Sequence, residues 1–192
     1  MNKAVFLDRD GVINRKPKSD DEYITRWEEM EILPGVAEAI VGLNRAGFRV
    51  IVVTNQRGIA KGLVTSAQLE SIHQRMCQQL GLAGARIDAV YSCPHELLPP
   101  CGCRKPEPGM LLEAAYRFNI DLSASWMIGD SAKDVEAGRR AGCRTVRLTT
   151  DAASADGCAD IVAPCLLAAI SAILEPHSQA STAAELESQT RS

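Results

Sequence analysis

Two aspartates two residues apart, Asp8 and Asp10, stand at the end of the apolar run Val5-Phe6-Leu7 and directly before Gly11. The pattern reads as a buried strand emptying into a tight loop, where carboxylates are held together at the edge of solvent. If strand geometry persists through Asp10, the period of two puts both carboxylates on one side of the chain, close enough to share a cation and a substrate. Like charges at that range are costly unless a metal or a proton intervenes. Taken alone, an Asp-x-Asp is more often a turn whose side chains cap backbone groups, so the reading depends on its company.

A second constellation is Cys93-Pro94-His95, five residues, then Cys101-Gly102-Cys103. Three thiolates and one imidazole make a complete tetrahedral zinc set, closed to water and therefore structural. Seven cysteines are an odd number, and three of them crowd into this segment, which fits a metal site in a reducing compartment better than a disulfide framework. A redox pair is disfavoured because Cys101-Gly102-Cys103 is too tight for an easy ring. Cys77, Cys143, Cys158 and Cys165 read as small buried apolar residues. Immediately after the loop come Arg104 and Lys105. Elsewhere Lys105 would be a solvated surface lysine; here a metal-stiffened loop could aim it.

The elements that must position these groups alternate. Lys3–Leu7 reads as a strand, whereas 15–32 is polar and irregular, with Tyr23 and Trp27 as its aromatics. Pro34-Gly35 opens a helix carrying Val36, Ile40 and Leu43 at helical spacing and closing at Gly47. The β-branched run 50–53 reads as a strand buried on both faces, ending in Thr54-Asn55-Gln56-Arg57-Gly58. Thr65 or Ser66 caps the next helix, with Leu69, Ile72, Met76 and Leu80 as its apolar stripe. A strand at 87–92, a helix from Pro108-Gly109, a strand at 126–130 ending in Asp130, a helix over about 131–141, strands at 145–148 and 161–162 and a last helix follow. Alternation of this kind predicts an α/β fold, a Rossmann-like parallel sheet with helices on both faces and a zinc-binding loop. Ligands in such sheets bind beyond the carboxyl ends of the strands, where Asp8, Asp10, Thr54 and Asp130 all fall.

The chain has 192 residues, 46% of them hydrophobic, which suits one domain, taken as 1–175, with 176–192 a disordered tail. A net charge of −3 and the lack of a basic run exclude nucleic acid as the expected partner. The chain enters its first strand without a signal peptide, and no apolar run reaches membrane-spanning length, so a cytoplasmic monomer with no membrane partner is expected.

In order and spacing, Asp8-Arg9-Asp10-Gly11, Thr54-Asn55, Lys105 and Gly129-Asp130 with Asp134 resemble the four motifs of haloacid-dehalogenase-superfamily phosphatases. The resemblance spans about Lys3 to Leu148. It implies Asp8 as nucleophile, Asp10 as acid and base, Thr54 and Lys105 as phosphoryl stabilisers, and Mg2+ held by Asp8, the Asp10 carbonyl and Asp130. Asp134 would orient Lys105 or a metal-bound water. Residues 6–14, 53–60, 103–106 and 108–110 are more narrowly similar to the branch acting on heptose 1,7-bisphosphate at its C7 phosphate, in nucleotide-activated heptose biosynthesis. Zinc in the cysteine loop belongs to that branch, and histidinol-phosphate phosphatases share the loop. A small phosphorylated sugar is the implied partner, contacted by Arg9, Tyr23, Asn55, Gln56, Arg57 and Arg104; many relatives carry serine in place of Arg57. No insertion is long enough for a separate cap domain, so the loops 21–27 and 96–104 must close the crevice. A zinc-stabilised phosphate-binding module without turnover is the alternative of another class, although it would not need Asp10.

Overall fold

The computed structural model describes residues 1–19, 22–151 and 159–175. Six strands, β1 (Ala4–Leu7), β2 (Arg49–Asn55), β3 (Ala89–Cys93), β4 (Trp126–Gly129), β5 (Arg144–Leu148) and β6 (Ile161–Ala163), form one parallel sheet in the order β3-β2-β1-β4-β5-β6. Between and after them lie α1 (Val36–Arg45), α2 (Ser66–Leu82), α3 (Gly109–Phe118), α4 (Ala132–Ala141) and α5 (Leu166–Leu174).

Alternation along the strands divides the core. Val5, Leu7, Val50, Val52 and Ile128 pack with residues of α1, α2 and α5, whereas Phe6, Ile51, Val53 and Met127 pack with α3 and α4. Every one of these strand side chains is fully buried. Central strands covered on both faces require continuous apolar runs, which is why β1, β2 and β4 were readable without any helix signal.

Strand order reverses at β1, with β2 on one side and β4 on the other. Such a reversal opens a crevice at the carboxyl ends of the strands. The ladder continues one residue past each end: Asp8 N–H donates to Ile128 C=O at 3.0 Å, and Gln56 N–H to Cys93 C=O at 2.8 Å.

The 15–32 segment, unassigned from sequence, holds a 3-10 turn at Trp27–Glu29 and returns to the body by a bridge between Asn14 and Ile32. Thr65, not Ser66, caps α2, its hydroxyl accepting from Gln68 N–H. Of the cysteines expected to be buried, Cys143 is, Cys77 is half-buried and Cys165 is exposed, since it precedes the first turn of α5 and faces outward. Cys158, Asp21 and the expected tail at 176–192 lie outside the described residues. Among the described residues, no helix is long and apolar enough to cross a membrane.

Candidate active site

Asp8, Asp10, Thr54, Lys105 and Asp130 line one crevice of about 450 Å³ at the carboxyl ends of β1, β2 and β4. Asp8 and Asp10 reach it differently from the strand alternation expected. β1 ends at Leu7, and 9–14 wraps into a turn in which the Arg9 carbonyl accepts from the N–H groups of Val12, Ile13 and Asn14. The turn needs a positive φ of 89° at Gly11, and a Cβ there would lie 2.4 Å from Asp130 Oδ2. Gly11 therefore lets the carboxylate-bearing ends of β1 and β4 approach.

Lys105 is the centre of the site. Its side chain is 2% exposed, and Nζ lies 2.8 Å from Asp8 Oδ1, 2.6 Å from Asp134 Oδ1 and 2.8 Å from the Val53 carbonyl oxygen, to which it donates. Burial works to lower its pKa, but the charges of Asp134 and Asp8 outweigh burial and raise it, so the ammonium stays charged. Asn55 fixes the backbone, donating from Nδ2 to Lys105 C=O and accepting Lys105 N–H at Oδ1, both at 3.0 Å. The Asn55 side chain, expected against substrate, lines the crevice and also aims the lysine.

Asp134 is held by its own helix. Its Oδ2 accepts from Ser131 N–H at 3.0 Å and Ser131 Oγ at 2.5 Å, closing the capping box of α4. With Oδ1 against Lys105, both oxygens are committed, so Asp134 orients the lysine although it lies close enough to Asp8 and Asp130 to form a cation group with them. Gly129 permits the approach: a Cβ there would sit 2.1 Å from Asp134 Cβ.

Asp10 is clamped. Arg9 Nη2 lies 3.0 Å from each of its oxygens, and Asn14 Nδ2 and Gln56 Nε2 each donate to it at 3.0 Å. Gln56 Nε2 also donates to Thr54 Oγ1 at 2.9 Å. Arg9 and Gln56, expected to contact substrate, line the crevice with only 1% and 3% of their surface exposed and bind the Asp10 carboxylate. Burial tends to raise Asp10, but the Arg9 charge and the donated hydrogen bonds outweigh it and hold the carboxyl below its usual range. Asp8 is the reverse case: burial, opposed by Lys105 and reinforced by Asp134 and Asp10, pushes it up to about 7. An acidic group that resists ionisation beside Asp130 is what a divalent cation would relieve. Lys16 Nζ, 2.9 Å from Asp130 Oδ2, offsets part of that charge.

On the rim, Arg57 Nε donates to the Tyr23 hydroxyl at 3.0 Å, and Arg57 Nη1 lies 3.5 Å from Glu96 Oε1. Arg104 Nη1 donates to the His95 carbonyl at 3.2 Å and lines the same crevice. Lys16, Tyr23 and Ile24 on one side and Leu97 and Arg104 on the other line its opening.

Beside the rim, Cys93, His95, Cys101 and Cys103 converge. Cys93 Sγ lies 3.6 Å from Cys101 Sγ and 3.2 Å from Cys103 Sγ, and His95 Nδ1 lies 3.2 Å from Cys103 Sγ. Tetrahedral zinc at ~2.3 Å from each sulfur implies sulfur–sulfur edges of about 3.8 Å, so this group could hold such an ion with little movement. Burial and the neighbouring thiols push Cys103 up to about 12, so the cluster resists full deprotonation until a cation is present.

Comparison with known proteins agrees with this geometry. Residues 102–169 match the model of the HAD-hydrolase-like family. The chain is 43% identical over 146 residues to the D-glycero-beta-D-manno-heptose-1,7-bisphosphate 7-phosphatase of Rhodopseudomonas palustris, covering 72% of this chain and 79% of that one. It belongs to the haloacid-dehalogenase phosphatase family. The namesake enzyme of Bordetella bronchiseptica is 40% identical over 141 residues, 73% of this chain and 77% of that one. A crystal structure of D,D-heptose 1,7-bisphosphate phosphatase from B. bronchiseptica, complexed with magnesium and phosphate, superposes with a TM-score of 0.80 at 35% identity, covering 90% of this chain and 98% of that one. As a member of this phosphatase family, the protein is a phosphoric monoester hydrolase.

Sequence reasoning missed His73, which lies under Arg9 on α2, its Nε2 3.1 Å from Arg9 Nη1. Its only signal was a polar residue inside an apolar helical stripe.

Gly129→Ala should lower stability by roughly 1–3 kcal/mol through overpacking against Asp134. Because the lysine would move with Asp134, turnover should fall about a hundredfold. Thermal unfolding and steady-state kinetics check both; an alanine variant with unaltered melting temperature and turnover would show that this approach is not a constraint.

Proposed function

We propose that the enzyme removes the C7 phosphate of D-glycero-D-manno-heptose 1,7-bisphosphate through an aspartyl-phosphate on Asp8. The observation that carries the reaction class is the buried Lys105 ammonium held between Asp8 and Asp134 on the floor of an open crevice. A carboxylate can attack an anionic phosphate ester only where positive charge meets the phosphoryl oxygens, and this lysine is fixed there before substrate arrives. The substrate assignment is supported by the names of relatives at about 40% identity, which point to the β-anomer.

In the first step an Asp8 carboxylate oxygen bonds to phosphorus and the bond to the C7 oxygen breaks, while Asp10 in its acid form gives that oxygen its proton. In the second, water attacks the phosphorus of the acyl phosphate, Asp10 takes the proton back, and Asp8 leaves with its electron pair. Lys105 and the Thr54 hydroxyl face the phosphoryl oxygens throughout. Magnesium, which Asp8, Asp130 and the Asp10 carbonyl fit as oxygen donors, supplies neutralisation of phosphoryl charge when bound. Zinc in the Cys93–His95–Cys101–Cys103 group is structural and holds the loop that carries Arg104 and Lys105. Arg104, assisted by Arg57, reads the distal C1 phosphate, since a guanidinium pairs two phosphate oxygens at once. This puts the product among the sugar 1-phosphates that a nucleotidyl transfer can activate.

Asp8→Asn should abolish turnover with the fold intact. Arg104→Ala should reduce kcat/KM for the bisphosphate far more than for an aryl phosphate, which offers no second charge. Steady-state comparison across heptose 1,7-bisphosphate, hexose phosphates and histidinol phosphate tests the substrate; more efficient hydrolysis of histidinol phosphate, or an equal Arg104→Ala loss on both ester types, would overturn the assignment while leaving the chemistry standing.

The two metals should separate experimentally. Chelating magnesium should stop turnover reversibly at constant melting temperature, whereas Cys103→Ser should lower the melting temperature. Elemental analysis should find about one zinc per chain, as one four-ligand set requires; a stable protein purified without zinc would refute that site.

A further inference from the structure

The catalytic turn rests on an imidazole that the proposed reaction does not use. His73 projects from α2 and is 4% exposed. Its Nε2 lies 3.1 Å from Arg9 Nη1, and Arg9 in turn reaches Asp10 through Nε at 3.2 Å and Nη2 at 3.0 Å. A guanidinium has donors only, so Nε2 must be the acceptor, which makes the ring neutral with its proton on Nδ1. Two positively charged groups at 3.1 Å in a buried site would repel, so no other protonation state fits the contact. Burial, helped by the Arg9 charge and opposed by Asp10, gives the same result, lowering His73 to about 3.

We propose that His73 is a positioning residue for the proton donor: it fixes the Arg9 guanidinium from behind, and the guanidinium then presents Asp10 to the leaving-group oxygen. The inference rests on Asp10 being the acid of the reaction proposed above. Arg9 is a long side chain with several rotatable bonds, and one carboxylate at its tip leaves Nη1 without a partner in the interior. The imidazole supplies the missing acceptor and removes the alternative rotamers in which the fork turns away from Asp10. α2 is suited to the task because His73 sits in its buried stripe with Leu69, Ile72 and Met76, so the ring is held by packing on the helix and not by a loop.

Leaving-group dependence tests this. A mispositioned acid should slow esters whose alkoxide must be protonated and spare those whose aryloxide leaves unaided. Hydrolysis of the acyl phosphate is common to all esters, so the comparison is made on kcat/KM, which reports the steps up to leaving-group departure: His73→Leu should lower it for a sugar phosphate by about tenfold or more while leaving it for p-nitrophenyl phosphate within about twofold, and His73→Gln, whose amide oxygen can accept from Arg9, should recover most of the loss. Asp10→Asn run in parallel separates the two readings. If it shows no leaving-group dependence, the assignment of Asp10 as acid fails; if it does and His73→Leu does not, the role of His73 fails. Equal losses for both esters would mark His73 as a merely structural residue. Should the leucine variant not fold, 15N NMR of the unaltered enzyme decides: the His73 ring should stay neutral, with Nε2 unprotonated, from pH 5 to pH 8. A ring that protonates in that range, or carries its proton on Nε2, would overturn the proposal.

Discussion

A lysine ammonium buried to 2% exposure cannot exist in a protein core without compensation, and much of this active site is the compensation. Three oxygens from three separate elements surround Lys105 Nζ: Asp8 after β1, the Val53 carbonyl in β2 and Asp134 in α4. The backbone of the lysine is held by Asn55 at the end of β2. Removing one member of such a buried set costs roughly 3–5 kcal/mol because the remaining charge stays buried. The interaction therefore joins fold and chemistry: the strands place the acceptors, and the acceptors keep the cation charged where a phosphoryl group must arrive.

Most of this arrangement was legible from the chain because its parts fall next to one another in sequence terms. Each carboxylate or hydroxyl closes an apolar run, and the runs 50–53 and 126–128 are unmistakably buried strands. What could not be read was the direction of side chains once the strands stop. Arg9 lies between two site aspartates and lines the crevice, but its guanidinium is turned onto Asp10 and His73, which the sequence did not show. Asn55 and Gln56 follow Thr54 directly and line the crevice with it; that their amides also bind Lys105 and Asp10 was not legible. Adjacency in sequence identifies a neighbourhood, whereas the division between groups that touch substrate and groups that aim them is decided by hydrogen-bond partners far apart in the chain.

The segment 15–32 was opaque for a different reason. It has no hydrophobic period: Ile24 and Met30 reach the core singly, and the described residues between and around them are tied by side-chain bonds, Arg15 to Glu31 through Nε at 2.6 Å and Glu29 accepting from Thr25 and Arg26. These partners are exposed, and exposed pairs stabilise little on their own. The two apolar anchors therefore set its path, and Tyr23, beside the first of them, is carried to the crevice.

The two neighbouring aspartates are chemically identical and not equivalent. Asp8 and Asp10 are driven in opposite directions, Asp8 upward by burial and Asp10 downward despite burial, because Arg9 faces only the second. Separation of this kind assigns different roles to chemically identical groups. For the reaction proposed above it also poses a requirement: an acid held ionised by a guanidinium must gain a proton before it can give one. An incoming phosphate ester brings negative charge beside Asp10 and so favours its protonated form. In the proposed reaction the substrate thus helps arm its own proton donor.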